Sequence, residues 1–179
     1  VLGAHVEQKG SYVDGERLRF DFSHFSAMTA EELKKVEEIV NEKIAENIQV
    51  VTNEMTIEDA RKTGAMALFG EKYAEKVRVV SMGDFSKELC GGTHVANTGS
   101  ITVFKILSES GIAAGVRRIE AITSGAVFEY YRNIEKELNA AAKAAKTDAS
   151  GLIKKIESLQ EEVKAVQSEN EKLKAKLAN

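Results

Sequence analysis

Charged and apolar side chains alternate over residues 17–22, a pattern that places the apolar ones on one face of a strand. Ser11–Val13 precedes this segment, and Asp14-Gly15 lies between the two. An Asp-Gly pair between alternating segments favours a tight hairpin turn. The pattern therefore predicts an antiparallel hairpin whose core-facing residues are Leu18, Phe20 and Phe22.

Helical spacing follows the hairpin. Apolar residues recur three and four positions apart, at Leu33, Val36, Ile39, Val40 and Ile44. They predict an amphipathic helix over residues 30–47, with Thr29 as N-cap and Glu32 closing a capping box. Thr56 is placed to cap a short helix over residues 57–68.

Further segments are typical of strands, at residues 48–55, 77–80, 102–107 and 116–122. The turn-like run 111–115 separates the last two. Mixed helices and strands with hairpin connections indicate an α+β fold, an antiparallel sheet with packed helices.

The pattern becomes helical throughout beyond residue 125. From Leu152 to Leu177 apolar residues alternate at spacings of four and three, interrupted only by Asn170. This heptad seam predicts a coiled coil or an antiparallel helical hairpin, with residues 126–145 as a possible partner helix. One amphipathic helix docked on a domain is the alternative. We therefore expect a domain over residues 1–125 and a helical tail over residues 126–179.

The composition excludes several classes of protein. The chain has 179 residues, one cysteine, no proline and no apolar run long enough to span a membrane. A single cysteine excludes a disulfide framework and fits a reducing, cytoplasmic location. Residues 1–125 carry a net charge of −4, which argues against binding nucleic acid by bulk charge. Any such contact would use a local patch, at Arg17 and Arg19 or at Arg117 and Arg118.

Two clusters contain side chains that could bind a ligand or take part in a reaction. Cys90-Gly91-Gly92-Thr93-His94 places a thiol and an imidazole where they can reach one zinc ion, although two ligands cannot close a site. A buried free cysteine beside a glycine loop is the alternative. Residues 5–11 combine an imidazole, an amide, an ammonium and a hydroxyl, which suits a polar ligand or simply a solvated strand. The sequence contains no phosphate-binding loop or dinucleotide fingerprint.

Five stretches together resemble the editing region of alanyl-tRNA synthetase: residues 2–11, 17–24, 64–73, 90–94 and 108–120. They lie in the family's order. The resemblance implies the fold of the second additional domain of threonyl- and alanyl-tRNA synthetases. It also implies that the module hydrolyses tRNA(Ala) mischarged with serine or glycine. The tail resembles the helical linker of that family only in its helical pattern.

The family's zinc site is formed by a His-x3-His pair and a Cys-x3-His pair, and Cys90 and His94 match the second. The first pair precedes the stretch with which this chain opens, so we expect Zn2+ to bind weakly or not at all here. Gln8 and Ser11 match positions associated with the amino-acid pocket, and with Cys90 they are the expected catalytic residues. ATP belongs to an aminoacylation domain outside this chain.

The implied partner is the acceptor end of tRNA(Ala), for which Lys9, Arg117 and Arg118 are candidate contacts. Two alternatives remain open. One is a free-standing trans-editing deacylase, which shares the Cys-x3-His motif. The other is a non-catalytic fragment that binds tRNA or self-associates through its helical tail.

Overall fold

Seven strands and four α-helices make up the part of the chain described by a computed structural model, residues 1–66 and 75–177. The strands are β1 Gln8–Val13, β2 Leu18–Ser23, β3 Val50–Thr56, β4 Lys76–Met82, β5 Ser86–Leu89, β6 Phe104–Ala113 and β7 Val116–Thr123. The helices are α1 Ala30–Ala45, α2 Ile57–Lys62, α3 Gly125–Ala144 and α4 Leu152–Leu177, with a short 3-10 helix at Thr98–Ile101. One antiparallel sheet has the order β1-β2-β7-β6, and the other has the order β3-β4-β5. The predicted α+β class is confirmed.

The predicted hairpin is formed by β1 and β2. Val13 pairs with Leu18, and the Asp14 carboxylate accepts 2.8 Å hydrogen bonds from the backbone N–H groups of Glu16 and Arg17. These bonds close the turn in the way expected of an aspartate at its first position. Phe22 is buried as predicted, whereas Phe20 keeps 37% of its surface exposed.

Helix α1 covers the four-stranded sheet. Thr29 accepts a hydrogen bond from the Glu32 backbone N–H, and the Glu32 side chain accepts one from Thr29, so the capping box is confirmed. The helix ends at Ala45, two residues before the predicted end. Its apolar face packs on a core whose buried members are Phe22, Met28, Ile44, Phe104, Ile106, Ile119 and Ala121.

Other predicted elements also differ from the structure. Strand β6 continues to Ala113, and Gly111 pairs with Arg117, so the turn contains only Ala114 and Gly115, whose φ of +68° suits glycine. Strand β5 was not predicted, because its sequence, Ser-Lys-Glu-Leu, has no apolar alternation. Helix α2 ends at Lys62, and residues 67–68 of its predicted extent lie outside the described residues.

The chain divides into two compact units, one of residues Val1–Val127 and one that begins at Phe128. Most of α3 and all of α4 belong to the second unit. Helix α4 has no buried residue, and its heptad seam is exposed, for example 54% at Val163 and 63% at Val166. The tail is therefore helical as predicted, while the partner of its seam stays a prediction. No helix among the described residues is long and apolar enough to cross a membrane.

Candidate functional site

The loop that carries Cys90 and His94 is anchored at both ends. Cys90 directly follows β5, and its backbone N–H donates to the Arg78 carbonyl on β4 over 3.1 Å. Beyond His94, the Val50 N–H donates to the Ala96 carbonyl over 2.9 Å. The Thr98 hydroxyl then donates to the Lys43 carbonyl over 2.6 Å, which ties the segment to the end of α1. The loop is thus held by elements on either side of it.

Arg78 fixes the middle of the same loop. Its Nη1 donates to the carbonyl oxygens of Gly91 and Gly92, each over 2.9 Å. The residue lies on β4, the central strand of its sheet, where Val77, Val79 and Val80 are buried. Sequence reasoning missed this role, although an arginine within an apolar strand was a visible signal.

Cys90 and His94 present the soft donor pair that suits zinc. Cys90 is half-buried and His94 is exposed. The Cys90 sulfur lies close to Gly92, since a Cβ added there would be 3.5 Å from Sγ. Among residues 1–66 and 75–177, no group of three or more His, Cys, Asp or Glu side chains is placed to hold a metal ion. The donor chemistry therefore fits zinc, while the described residues alone do not complete a site.

The structure brings Gln8 and Ser11 together on β1, at the edge of the four-stranded sheet. Gln8 Nε2 donates to Ser11 Oγ over 3.2 Å. Lys9, between them in sequence, forms a 3.0 Å ion pair with Glu7. In the described part of the chain, neither Gln8 nor Ser11 hydrogen-bonds to the Cys90 loop. The amide and the hydroxyl nevertheless form a small polar pair able to exchange their mutual bond for a ligand hydroxyl.

Arg117 and Arg118 are adjacent in sequence but point to opposite faces of β7. Arg117 Nε and Nη2 donate to Glu109 over 2.5 and 2.7 Å, and Arg118 Nε and Nη2 donate to Asp21 over 2.7 and 2.9 Å. Hydrogen bonding to Arg117 holds the pKa of Glu109 below its ordinary value, and Arg118 lowers the pKa of Asp21 in the same way. Both guanidinium groups are thus occupied by carboxylates, so a phosphate contact would require exchange of those partners.

A histidine pair lies beside the β1–β2 hairpin. His5 Nε2 is 2.9 Å from His24 Nδ1, and the His24 Nε2 is 3.3 Å from the Ser26 hydroxyl. The His5 ring is roughly parallel to both the His24 ring and the Phe25 ring, at centroid distances of 5.1 and 6.0 Å, and it meets the His24 ring edge to edge through the two nitrogens. The sequence gives no signal that joins the two histidines, since they are 19 positions apart.

Comparison with known proteins gives consistent results. Residues 77–120, which include Cys90 and His94, match the family described as the threonyl and alanyl tRNA synthetase second additional domain. Over its full length the chain is 75% identical to "Alanine--tRNA ligase 1" of Lachnoclostridium phytofermentans. It is 56% identical to the alanine–tRNA ligase of Acetivibrio thermocellus and 55% identical to that of Bacillus cytotoxicus, again over all 179 residues. In each case the chain spans 20% of the relative's length.

Proposed function

The chain is a segment of the alanyl-tRNA synthetase family, equal to about a fifth of its relatives' length, and we propose that this segment carries the editing site that hydrolyses mischarged Ser-tRNA(Ala) and Gly-tRNA(Ala). The observation that most directly supports this proposal is the Cys90–His94 loop, which lies within the matched family region and is held by β4 and α1. A loop anchored in this way can present reactive groups in a fixed geometry.

Editing compensates for the limited selectivity with which a binding pocket for alanine can exclude serine. Serine differs from alanine by one hydroxyl, and an apolar pocket cannot strongly reject an isostere that merely adds one. A second site must hydrogen-bond that hydroxyl. The Gln8 amide and the Ser11 hydroxyl, 3.2 Å apart, provide suitable donors and acceptors. In this proposal they recognise the seryl group and so select the ester for hydrolysis.

Cys90 and His94 would hold a zinc ion together with ligands from outside the described residues. A bound zinc ion would position the ester or increase the acidity of a water molecule. This chain's own contribution is to hold both donors in place, through Arg78 and the two loop anchors. The acceptor end of tRNA(Ala) is the proposed partner.

The experiment uses a whole alanine–tRNA ligase that carries Cys90→Ala. We expect loss of Ser-tRNA(Ala) hydrolysis, because the side chain introduced at position 90 has no metal-binding donor. Activation of the amino acid alanine should be retained, because the aminoacylation domain lies outside this chain. The melting temperature should change little, because one small, half-buried side chain contributes little burial. Val95→Ala is the matched control in the same loop, since it removes no donor. Full hydrolysis by Cys90→Ala would remove Cys90 from the site.

A second candidate function is self-association through the tail. The exposed seam of α4 favours it, since apolar residues at heptad positions pack well only against another helix. The two functions are compatible, because the seam and the Cys90 loop lie in different units of the chain.

A further inference from the structure

Phe25 is the most exposed aromatic side chain of the described first unit, with 88% of its surface accessible. A single exposed apolar side chain is ordinary in a protein surface. Phe25 differs because its ring is nearly parallel to the imidazole of His5, with an interplanar angle of 19°. His5 is in turn nearly parallel to His24, at 25°. The three rings therefore form an aromatic cluster, defined here as His5, His24 and Phe25.

The cluster is held in place before any ligand arrives. The His24 backbone N–H donates to the Gly115 carbonyl over 3.0 Å, which fixes the segment after β2 against the β6–β7 turn. The Ser23 hydroxyl donates to the His5 carbonyl over 3.0 Å, and the two imidazoles are joined at 2.9 Å. A ligand stacked on Phe25 would consequently lose its own freedom but would require little ordering of the protein.

The surroundings indicate what kind of ligand fits. An apolar peptide would need an apolar rim, whereas polar groups lie close to this cluster: the Ser26 hydroxyl, 3.3 Å from His24, and the Glu109 carboxylate, which is paired with Arg117 and accepts a 3.4 Å hydrogen bond from the Met28 backbone N–H. A planar ring that carries polar substituents suits such a place. Nucleobases meet this description, and proteins hold unpaired bases by stacking them on aromatic side chains.

We propose that Phe25 stacks an unpaired base at the single-stranded 3′ end of tRNA. This inference rests on the proposed function, which brings that end of the tRNA to this unit. His5 and His24 are hydrogen-bonded to each other, and His24 also to Ser26, so in this proposal the base contacts the exposed face of Phe25 while the two imidazoles hold that ring in place. The aromatic cluster would thus hold the 3′ end by a contact that does not depend on the charged amino acid.

The test measures binding of the 179-residue chain to an RNA hairpin with a single-stranded ACCA 3′ end. The same hairpin with a blunt end is the reference ligand. We expect Phe25→Ala to weaken binding of the ACCA hairpin by about 5-fold or more, the lower range for loss of one base–aromatic stack, and to leave the blunt hairpin unaffected. Phe85→Ala is the matched control, because Phe85 is also exposed, at 57%, but lies in the other sheet region. Both substitutions should leave the melting temperature nearly unchanged.

Phe25→Trp gives a direct readout, because the chain contains no tryptophan. The new indole should keep the affinity and lose fluorescence when the ACCA hairpin binds, but not when the blunt hairpin binds. Phe85→Trp should show no such difference. The stacking proposal, but not the proposed function, would be overturned if the ACCA hairpin binds tightly, Phe25→Ala leaves the affinity unchanged and Phe25→Trp shows no quenching. Absence of binding to either hairpin would also overturn it, while the proposed function is judged separately by Ser-tRNA(Ala) hydrolysis.

Discussion

Arg78 offers the sharpest test of how the candidate site is built. We expect Arg78→Met to release the Cys90 loop while leaving the sheet intact. Methionine keeps most of the aliphatic stem of arginine and removes the donors that reach Gly91 and Gly92. The backbone bond from the Cys90 N–H to the Arg78 carbonyl does not depend on the side chain and should persist.

The size of the effect follows from the two lost hydrogen bonds. Each has a length of 2.9 Å, and a typical intramolecular hydrogen bond contributes about 0.5–1.5 kcal/mol net. Together they bias the loop towards its observed position by about 1–3 kcal/mol, which corresponds to roughly a 5- to 150-fold change in population. The two glycines are exposed, so water replaces the lost donors and unfolding should be affected little. A melting temperature lower by only a few degrees is expected.

The assay uses the only cysteine of the chain as a reporter. Cys90 is half-buried, so a thiol reagent such as Ellman's reagent should react with it faster when the loop moves away from β4. We expect Arg78→Met to accelerate this labelling several-fold and to slow Ser-tRNA(Ala) hydrolysis by a comparable factor in the whole ligase. Arg61→Met, which changes an exposed arginine on α2, is the matched control. An unchanged labelling rate in folded Arg78→Met would refute the idea that Arg78 positions the loop.

Two further predictions concern stability and association. Arg118 lowers the pKa of Asp21 from its ordinary value of 3.8, so the stability from this pair is present above pH ~3.8 and is lost as the pH falls through the lower folded-state value. Asp21→Asn should therefore lower the free energy of unfolding by about 1.5–3 kcal/mol at neutral pH and flatten its decline in acid, both measurable by urea titration. Asn170, the one polar residue of the α4 seam, should set the register of a helix pair, so Asn170→Leu should raise the melting temperature of the associated form and broaden its range of oligomers. Sedimentation that shows only monomers for both proteins would contradict the second prediction.

The elements predicted correctly are those whose signals are local. The turn at Asp14 and the cap at Thr29 involve hydrogen bonds between residues two or three positions apart, so the sequence contains both partners side by side. The α4 helix likewise follows from spacing within one segment. Strand β5 has no such signal, because its place in the sheet depends on pairing with β4.

The ion pairs of the first sheet show the same distinction. Arg118 and Asp21 are 97 positions apart, and only the register between β2 and β7 places them opposite each other. From the sequence alone, Arg117 and Arg118 form one basic patch. In the structure, strand alternation separates them and a carboxylate occupies each guanidinium. A charged doublet on a strand is therefore a weak indicator of a nucleic-acid contact unless the cross-strand partners are known.

The candidate site itself combines both kinds of information. The residue types at Cys90 and His94 indicate the chemistry of the donors, which depends only on the side chains and is therefore visible in the sequence. How firmly those donors are held depends on Arg78, 13 positions before Gly91, and on Thr98, whose partner Lys43 is 55 positions away. A ligand pair on an unrestrained glycine loop would lose much conformational freedom on binding a metal or substrate. Anchoring by β4 and α1 reduces that cost before binding, and for this reason the residues that hold the loop should matter to the reaction as well as those that touch the substrate.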